Sequence, residues 1–490
     1  MLKNKGLKKF LEDKYNIFFL IILIIAAFLR FRYLLIDSVW PDEALYIWNA
    51  LKLAQSPLFL FSSEMADFVS YIPVIIIAFF IPIGKVVAGR ITSVLFSLVG
   101  IIGIYFLGKE LKDKLTGLLG AMFLAATPLF YFFSNRILID VPLTSMFIVS
   151  MLCILKFEKY NNKKWGILTG LSIGLTMYIK ASGTLMLLIA IVYFAYSYRK
   201  NLINLFKEKS FQYGFSILLI LTIILFINNF IHFGNFFSSS YTGALEGEIF
   251  VKGGYEFHFL QIPYSLSWFI LPFIIVGLFF MMRDWKINKN VLILLWIAVI
   301  FLFFTFIVRE KVPRYTMPAY PALLLIVGYG MSKLKFKNSK VIWIIVGLVI
   351  TITMYQTGSQ LIELQSLTHS GFEEAGESLK GVADNAIIYA GSIRQIRTFS
   401  GYDYAENGGN IYSLPKTKNE FEYILRNATK KVYIEIDTWE IKQPNWIYPI
   451  TKNKLDYFLS LGFEVHKIVE RDLIIKGEII KLPVIFLLKK

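Results

Sequence analysis

The run Asn16-Ile-Phe-Phe-Leu-Ile-Ile-Leu-Ile-Ile-Ala-Ala-Phe-Leu-Arg-Phe-Arg-Tyr33 decides the fold, and Asp37-Ser-Val-Trp-Pro-Asp-Glu-Ala-Leu-Tyr46 follows almost at once. The first stretch approaches the roughly 20 residues that a helix needs to cross a bilayer. The second sets two adjacent acids, Asp42 and Glu43, where that helix would meet water. Carboxylates in such a place are costly unless they are paired or used, which makes both candidate site residues. A structural reading competes with this one. Pro41 suits the first position of a helix, and acids in a first turn complement the helix dipole. Residues 44–55 then read as a short amphipathic helix with Ala44, Ile47, Trp48 and Leu51 on one face.

Composition favours the membrane throughout. Of 490 residues, 56% are hydrophobic and 17% aromatic, with a mean hydropathy of +0.59, against roughly 45–50% apolar in ordinary soluble domains. The chain is expected to be a polytopic α-helical membrane protein. Its one cysteine, Cys153, lies inside an apolar run and allows neither an intrachain disulfide nor a cysteine metal site. Lys and Arg outnumber Asp and Glu by 51 to 34, which cationic cytoplasmic loops explain better than a nucleic-acid partner. The first apolar run is too long for a cleaved signal and lacks a small-residue cleavage site.

Charge then sets the topology. Lys3, Lys5, Lys8, Lys9 and Lys14 precede the first span and put the N-terminus in the cytoplasm, so Asp42 and Glu43 emerge outside. Residues 69–84 are apolar but short and contain Pro73 and Pro82. If they do not cross, the cationic stretches at 109–114, 156–164, 199–209, 283–289 and 333–340 all fall on the cytoplasmic side. They are therefore read as an interfacial or re-entrant element within a first outer loop of residues 36–85. About eleven spans result, near 17–34, 86–107, 115–133, 141–157, 165–180, 183–198, 211–231, 263–282, 291–308, 315–332 and 341–357. Gly166, Gly170 and Gly174 are spaced for close helix packing. Residues 1–357 thus form a transmembrane part. Residues 358–490 read as a small extracytoplasmic α/β domain, with strands at 386–390, 431–436, 463–469 and 483–488 and helices at 418–426 and 454–461. Asn427-Ala-Thr429 fits a glycosylation acceptor, a weak three-residue signal.

In this topology polar residues collect at outer helix ends. Arg136 and Asp140 share the loop Ser134-Asn-Arg-Ile-Leu-Ile-Asp140, either as an ion pair fixing the turn or as site groups, and Asp140 before Val-Pro142 also suits a helix start. Lys180 ends the fifth span outside, where the positive-inside preference gives no reason for it, although a lysine can snorkel at modest cost. Arg309, Lys311 and Arg314 lie in the loop leading to Tyr315. The outer loop 232–262 holds His232, Glu246, Glu248, Glu256 and His258. Glu256 and His258 are a weak metal pair without a third ligand, and a solvated loop explains them as well.

These residues resemble a known family. Pro41-Asp-Glu-Ala-Leu-Tyr46 is similar to the Asp-Glu motif in the first outer loop of GT-C glycosyltransferases, in the branch of protein O-mannosyltransferases and lipid A aminoarabinose transferases. Ala88-Gly-Arg-Ile-Thr-Ser93, Tyr105-Phe-Leu-Gly-Lys-Glu110, Thr127-Pro128, Ser134-Asn-Arg136 with Asp140, and Arg314-Tyr-Thr-Met-Pro-Ala-Tyr-Pro321 follow in that branch's order. The likeness covers roughly residues 15–335. It implies a GT-C-like fold and an inverting transferase that takes a sugar from a polyprenyl-phosphate donor to a protein, lipid or glycan acceptor at the cell membrane. By the same resemblance, Asp42 is the base or acceptor-positioning acid, Glu43 supports it, and Asp140 is a second-loop acid. Lys180 is a ligand of the donor phosphate, with Arg314, Arg136 and Tyr315 alongside it. A divalent metal stays open, with Asp42, Glu43, Glu256 and His258 as its candidates. Where many members carry Lys-Pro-Pro or His-Pro-Pro late in the first outer loop, this chain has Ser70-Tyr-Ile-Pro73, so that segment's share in metal or phosphate binding does not carry over.

The chemistry fits on its own terms. Displacing a lipid phosphate from an anomeric carbon needs an acceptor hydroxyl, a base within reach and cations on the departing phosphate. A flippase for a lipid-linked sugar would favour matching halves and mid-membrane polar groups, and neither is evident. A non-catalytic assembly subunit would not need to keep both Asp42 and Glu43.

Overall fold

The computed structural model describes residues 10–32, 34, 39–235, 254–334, 339–365, 371–382, 386–438, 446, 451–475 and 478–490. They form two compact units. The first comprises Met1–Leu34 and Lys52–Ile362, the second Leu35–Leu51 and Glu363–Lys490.

The first unit is helical because its sequence is a series of apolar runs, and in lipid every backbone polar group must be satisfied within its own segment. It contains α1 (Lys14–Arg32), the end of α2 (Pro41–Gln55), α3 (Ser63–Phe68), α4 (Tyr71–Phe80), α5 (Lys85–Leu111), α6 (Lys114–Ala126), α7 (Pro128–Ser134) and α8 (Asp140–Tyr160). It continues with α9 (Lys163–Met177), α10 (Thr184–Ser197), α11 (Leu202–Lys207), α12 (Lys209–Phe233), α13 (Phe257–Leu266), α14 (Leu271–Arg283), α15 (Asn288–Leu302), α16 (Tyr320–Lys333) and α17 (Ser339–Gln365). Every expected span is helical. Among the described residues, five helices are long and apolar enough to cross a membrane, and seven if each of two bent pairs is one span. The expected segments 165–180, 183–198 and 315–332 fall on the shorter helices α9, α10 and α16.

Two expected straight spans are broken. Helices α6 and α7 meet at 64°, where Pro128 opens α7, and α13 meets the following helix at 97°. The second break turns on Ser267, whose φ of 123° is a conformation that L-residues adopt only under strain.

Close helix approach follows the glycines. A Cβ on Gly166 would strike the Ser210 carbonyl, and one on Gly170 the Gly214 carbonyl, so α9 and α12 touch backbone to backbone. Two buried arginines tie the first span to its neighbours. Arg30 donates to the Ala125 carbonyl at 3.3 Å, and Arg90 on α5 donates to the Leu34 carbonyl at 2.8 Å.

The second unit holds a five-stranded sheet ordered β2-β1-β3-β5-β4, from β1 (Ala386–Ala390), β2 (Ile411–Ser413), β3 (Lys431–Asp437), β4 (Glu464–Ile475) and β5 (Glu478–Lys489). Strands β1, β2 and β3 are parallel, and β5 runs antiparallel to both β3 and β4. Its helices are α18 (Phe372–Ser378), α19 (Ile393–Ser400), α20 (Lys418–Arg426) and α21 (Thr451–Ser460). Helix α20 starts where the sequence says it should. Thr417 and Glu420 exchange side-chain to backbone bonds at 3.2 and 3.3 Å, a full capping box. Phe421, Ile434, Phe458 and Leu488 meet in the core between sheet and helices. The sequence reading lacked β2, a three-residue edge strand, and the helices α18 and α19.

Candidate active site

In the first unit, Asp140 opens α8 and is almost fully buried. Its Oδ1 accepts from Lys180 Nζ at 2.7 Å, and its Oδ2 lies 3.6 Å from Arg314 Nε. Lys180 follows α9 in extended backbone, and its ammonium stands 4.9 Å from the centroid of the Tyr315 ring. The Tyr315 hydroxyl donates to Glu310 at 2.9 Å. Four residues singled out in the sequence, Asp140, Lys180, Arg314 and Tyr315, therefore meet at one place from three separate parts of the chain. One carboxylate faces two cations that are about one-fifth exposed, 22% and 21%, while the acid beneath them is 4% exposed. The excess positive charge lies on the accessible side, where it suits a phosphate.

The Arg136 guanidinium lies 4.7 Å from the Phe132 ring centroid, while the Asp140 carboxylate takes Lys180 and Arg314. Lys311 has a structural explanation. Its ammonium donates to the carbonyls of Phe304, Thr305 and Val308 at 2.9, 2.7 and 2.8 Å. These close the π-helical turn Phe303–Ile307, whose carbonyls lack their ordinary helical partners.

In the second unit, Asp42 and Glu43 open α2 and point to different tasks. Glu43 is fully buried, and its Oε2 accepts the Trp40 amide at 2.8 Å. That bond, from the third helical position back to the amide before the helix, is one half of a capping box. Asp42 stays 37% exposed, and its Oδ1 accepts from Arg394 Nη1 at 3.2 Å. Helix α19 supplies that arginine and binds α2 at two further points. Thr398 donates to the Ala44 carbonyl at 2.9 Å, and the Arg397 guanidinium stacks on Trp48 and Tyr404 at 4.1 and 3.9 Å. Arg394 and Arg397 lie in the tail beyond any sequence motif, so nothing in the sequence pointed to them.

Each metal candidate has its own setting: Asp42 faces a guanidinium, the Glu43 carboxylate accepts the Trp40 amide, Glu256 is exposed, and His258 two residues on is fully buried. Among the described residues no three His, Cys, Asp or Glu side chains gather for a metal. Glu246 and Glu248 lie outside the described residues.

Solved structures resemble the whole chain. ArnT from Cupriavidus metallidurans bound to undecaprenyl phosphate matches with a TM-score of 0.66 at 12% identity, covering 96% of this chain and 97% of that one. The archaeal oligosaccharyltransferase AglB from Archaeoglobus fulgidus, in complex with an inhibitory peptide and a dolichol-phosphate, matches with a TM-score of 0.60 at 10% identity, covering 86% and 70%. At such identities the likeness is one of fold, and the fold is that of the GT-C membrane glycosyltransferases. No curated protein matches the sequence. Residues 70–227, which run from α4 into α12 and include Asp140 and Lys180, match the model of the dolichyl-phosphate-mannose-protein mannosyltransferase family. The family match thus covers residues 70–227, while the likeness of fold extends over 96% of the chain.

Proposed function

We propose that this chain transfers a single hexosyl or pentosyl group from a polyprenyl-phosphate donor to an acceptor hydroxyl on the outer membrane face, inverting the anomeric carbon. The observation that carries this reading is the Asp140 carboxylate holding Lys180 and Arg314 as two part-exposed cations, with Asp140 and Lys180 inside the family-matched segment. Lys180 and Arg314 hold the phosphate of the donor. Asp42 takes the proton of the acceptor hydroxyl as its oxygen bonds to the anomeric carbon. The bond from that carbon to the phosphate oxygen breaks, and its electron pair leaves on the polyprenyl phosphate. A phosphate already leaves well, so this step needs no general acid, and the cations stabilise the charge that develops on it. Asp140 acts through the two cations by fixing their positions.

In this reading the N-terminus is cytoplasmic, and residues 358–490 are extracytoplasmic. Incubating purified protein with a panel of radiolabelled polyprenyl-phosphate sugars and following loss of lipid-linked label identifies the donor. If no member of the panel loses label, the transferase reading fails. Single cysteines at Lys112, Asn201 and Asn410 in a Cys153→Ser background, treated with an impermeant thiol reagent, test the topology. Labelling at 410 but not at 112 or 201 in intact cells is expected, and the reverse overturns it.

A further inference from the structure

Helix α9 leads at one end toward Lys180, and its other end frames a separate space. A cavity of about 230 Å³ lies among α9, α10, α11 and α12, with apolar walls that include Gly170, Phe194, Phe206 and Phe211. Thr169 also reaches it, but its hydroxyl is bound to the Trp165 carbonyl at 2.8 Å. About one turn away, α9, α11 and α12 line an open polar recess with Lys163, Lys207 and Lys209, against a single acid, Glu208. The Lys163 ammonium stands 4.3 Å from the Tyr213 ring centroid. Among the described residues, neither Lys207 nor Lys209 has a carboxylate within ion-pair distance.

A water-facing cluster of lysines next to a dry, tail-sized slot has the shape and charge of an anionic lipid. Ile203 and Phe206 on α11 are exposed beside the recess, which suits a short helix lying at the membrane boundary. Both lysine-bearing stretches, 156–164 and 199–209, belong to the side that the charge pattern makes cytoplasmic. The 15 residues of α9 separate this recess from the Asp140 cluster by about 22 Å at 1.5 Å per residue. The donor phosphate of the proposed reaction therefore belongs at the other end of the helix.

We propose that this face binds an anionic phospholipid of the adjoining leaflet, with its phosphate on Lys163, Lys207 and Lys209 and an acyl chain in the cavity. Basic recesses between membrane helices recognise anionic headgroups by summed charge, while the acyl chain fills the apolar slot. A lipid seated there braces α9 against α12, where their glycines already bring the backbones into contact.

The test uses full-length protein, stripped of lipid in detergent and titrated by native mass spectrometry with dioleoyl-phosphatidylglycerol, dioleoyl-phosphatidylcholine or polyprenyl phosphate. Phosphatidylglycerol should bind one per chain and at least about tenfold tighter than phosphatidylcholine. The triple variant K163Q/K207Q/K209Q should lose about a hundredfold of that affinity, with little change for phosphatidylcholine. Ala195→Phe, at an exposed wall of the slot, should weaken both phospholipids while the protein keeps its unfolding temperature. Equal binding of the two phospholipids, retention of phosphatidylglycerol by the triple variant, or tighter binding of polyprenyl phosphate to the same lysines would each overturn the proposal.

Discussion

Arg394 reaches Asp42 at 3.2 Å across 352 residues of sequence. Both side chains are about one-third exposed, so the pair adds at most about 1 kcal/mol to stability. Its larger effect is on geometry, because the guanidinium fixes where the carboxylate of the proposed base points. Replacing Arg394 by Met should lower kcat at saturating donor and acceptor by roughly 10–100-fold and leave the donor KM in place. Arg394→Lys should restore most of the loss. A kcat unchanged in Arg394→Met would reduce the pair to a surface contact.

Asp42 itself should be the residue whose loss stops transfer. Asp42→Asn keeps size and first-turn hydrogen bonding but removes the proton acceptor, which typically costs roughly 10²–10⁴-fold in rate. The lost first-turn charge costs only about 0.3–1 kcal/mol. Glu43→Gln should be mild, because the glutamine oxygen still accepts the Trp40 amide. Near-normal turnover of folded Asp42→Asn at saturating donor and acceptor would return Asp42 to a helix-end role.

For the cations, Lys180→Met and Arg314→Met should each raise the donor KM far more than the acceptor KM. The ordering of the two indicates which cation carries more of the phosphate. Unchanged donor saturation in both variants would mean that they only neutralise Asp140.

Lys311 should behave differently although it lies three residues from Arg314. Replacing it by Met leaves three carbonyls without their charged donor, a destabilisation on the order of 3 kcal/mol. Thermal unfolding in detergent should show that loss. Donor KM in the folded fraction should stay as in the wild type, and a raised donor KM would move Lys311 into the site.

The second unit carries a pH dependence of its own. Glu435 is fully buried beside Asp437, and its Oε2 accepts the Ser392 amide at 3.0 Å. Burial first, and the Asp437 charge second, hold its carboxyl well above the usual carboxylate range. The folded state therefore holds this proton to higher pH than the unfolded chain does. The stability this group contributes is complete below the ordinary glutamate range and declines as pH rises toward its folded value. Unfolding temperatures measured from pH 5 to pH 8 should fall less steeply in Glu435→Gln than in the wild type. Parallel curves would show that no proton is held there.

What the sequence made legible follows from the range of each interaction. Long apolar runs announce helices because burying them needs no particular partner, and the expected spans are all helical. The bends at Pro128 and Ser267 stayed hidden, since a bent apolar helix has the same composition as a straight one. The helix start at Pro41-Asp-Glu was readable from those residues alone, because the contacts that make it are local, and the Glu43 bond to the Trp40 amide spans three residues. Asp140, Lys180 and Arg314 were each singled out, but which cations the acid holds depends on how α8, α9 and the 309–315 loop pack. Arg136 is nearer in sequence, yet Asp140 takes cations from two more distant parts of the chain. Arg394 was out of reach, as no local pattern marks an arginine whose partner lies hundreds of residues away. The β2 strand escaped for lack of length.

The placement of Leu35–Leu51 in the second unit also has a consequence in time. A chain is made from its N-terminus, so the segment that carries Asp42 is complete long before α19 exists. Until the final quarter of the protein has been synthesised and has folded, α2 lacks Thr398 on its Ala44 carbonyl, and Asp42 lacks Arg394. The Asp140 cluster can form earlier, because its latest members lie at residues 314 and 315. The Asp42–Arg394 pair is thus the later of the two to form, and a nascent chain that already holds the Asp140 cluster still lacks it.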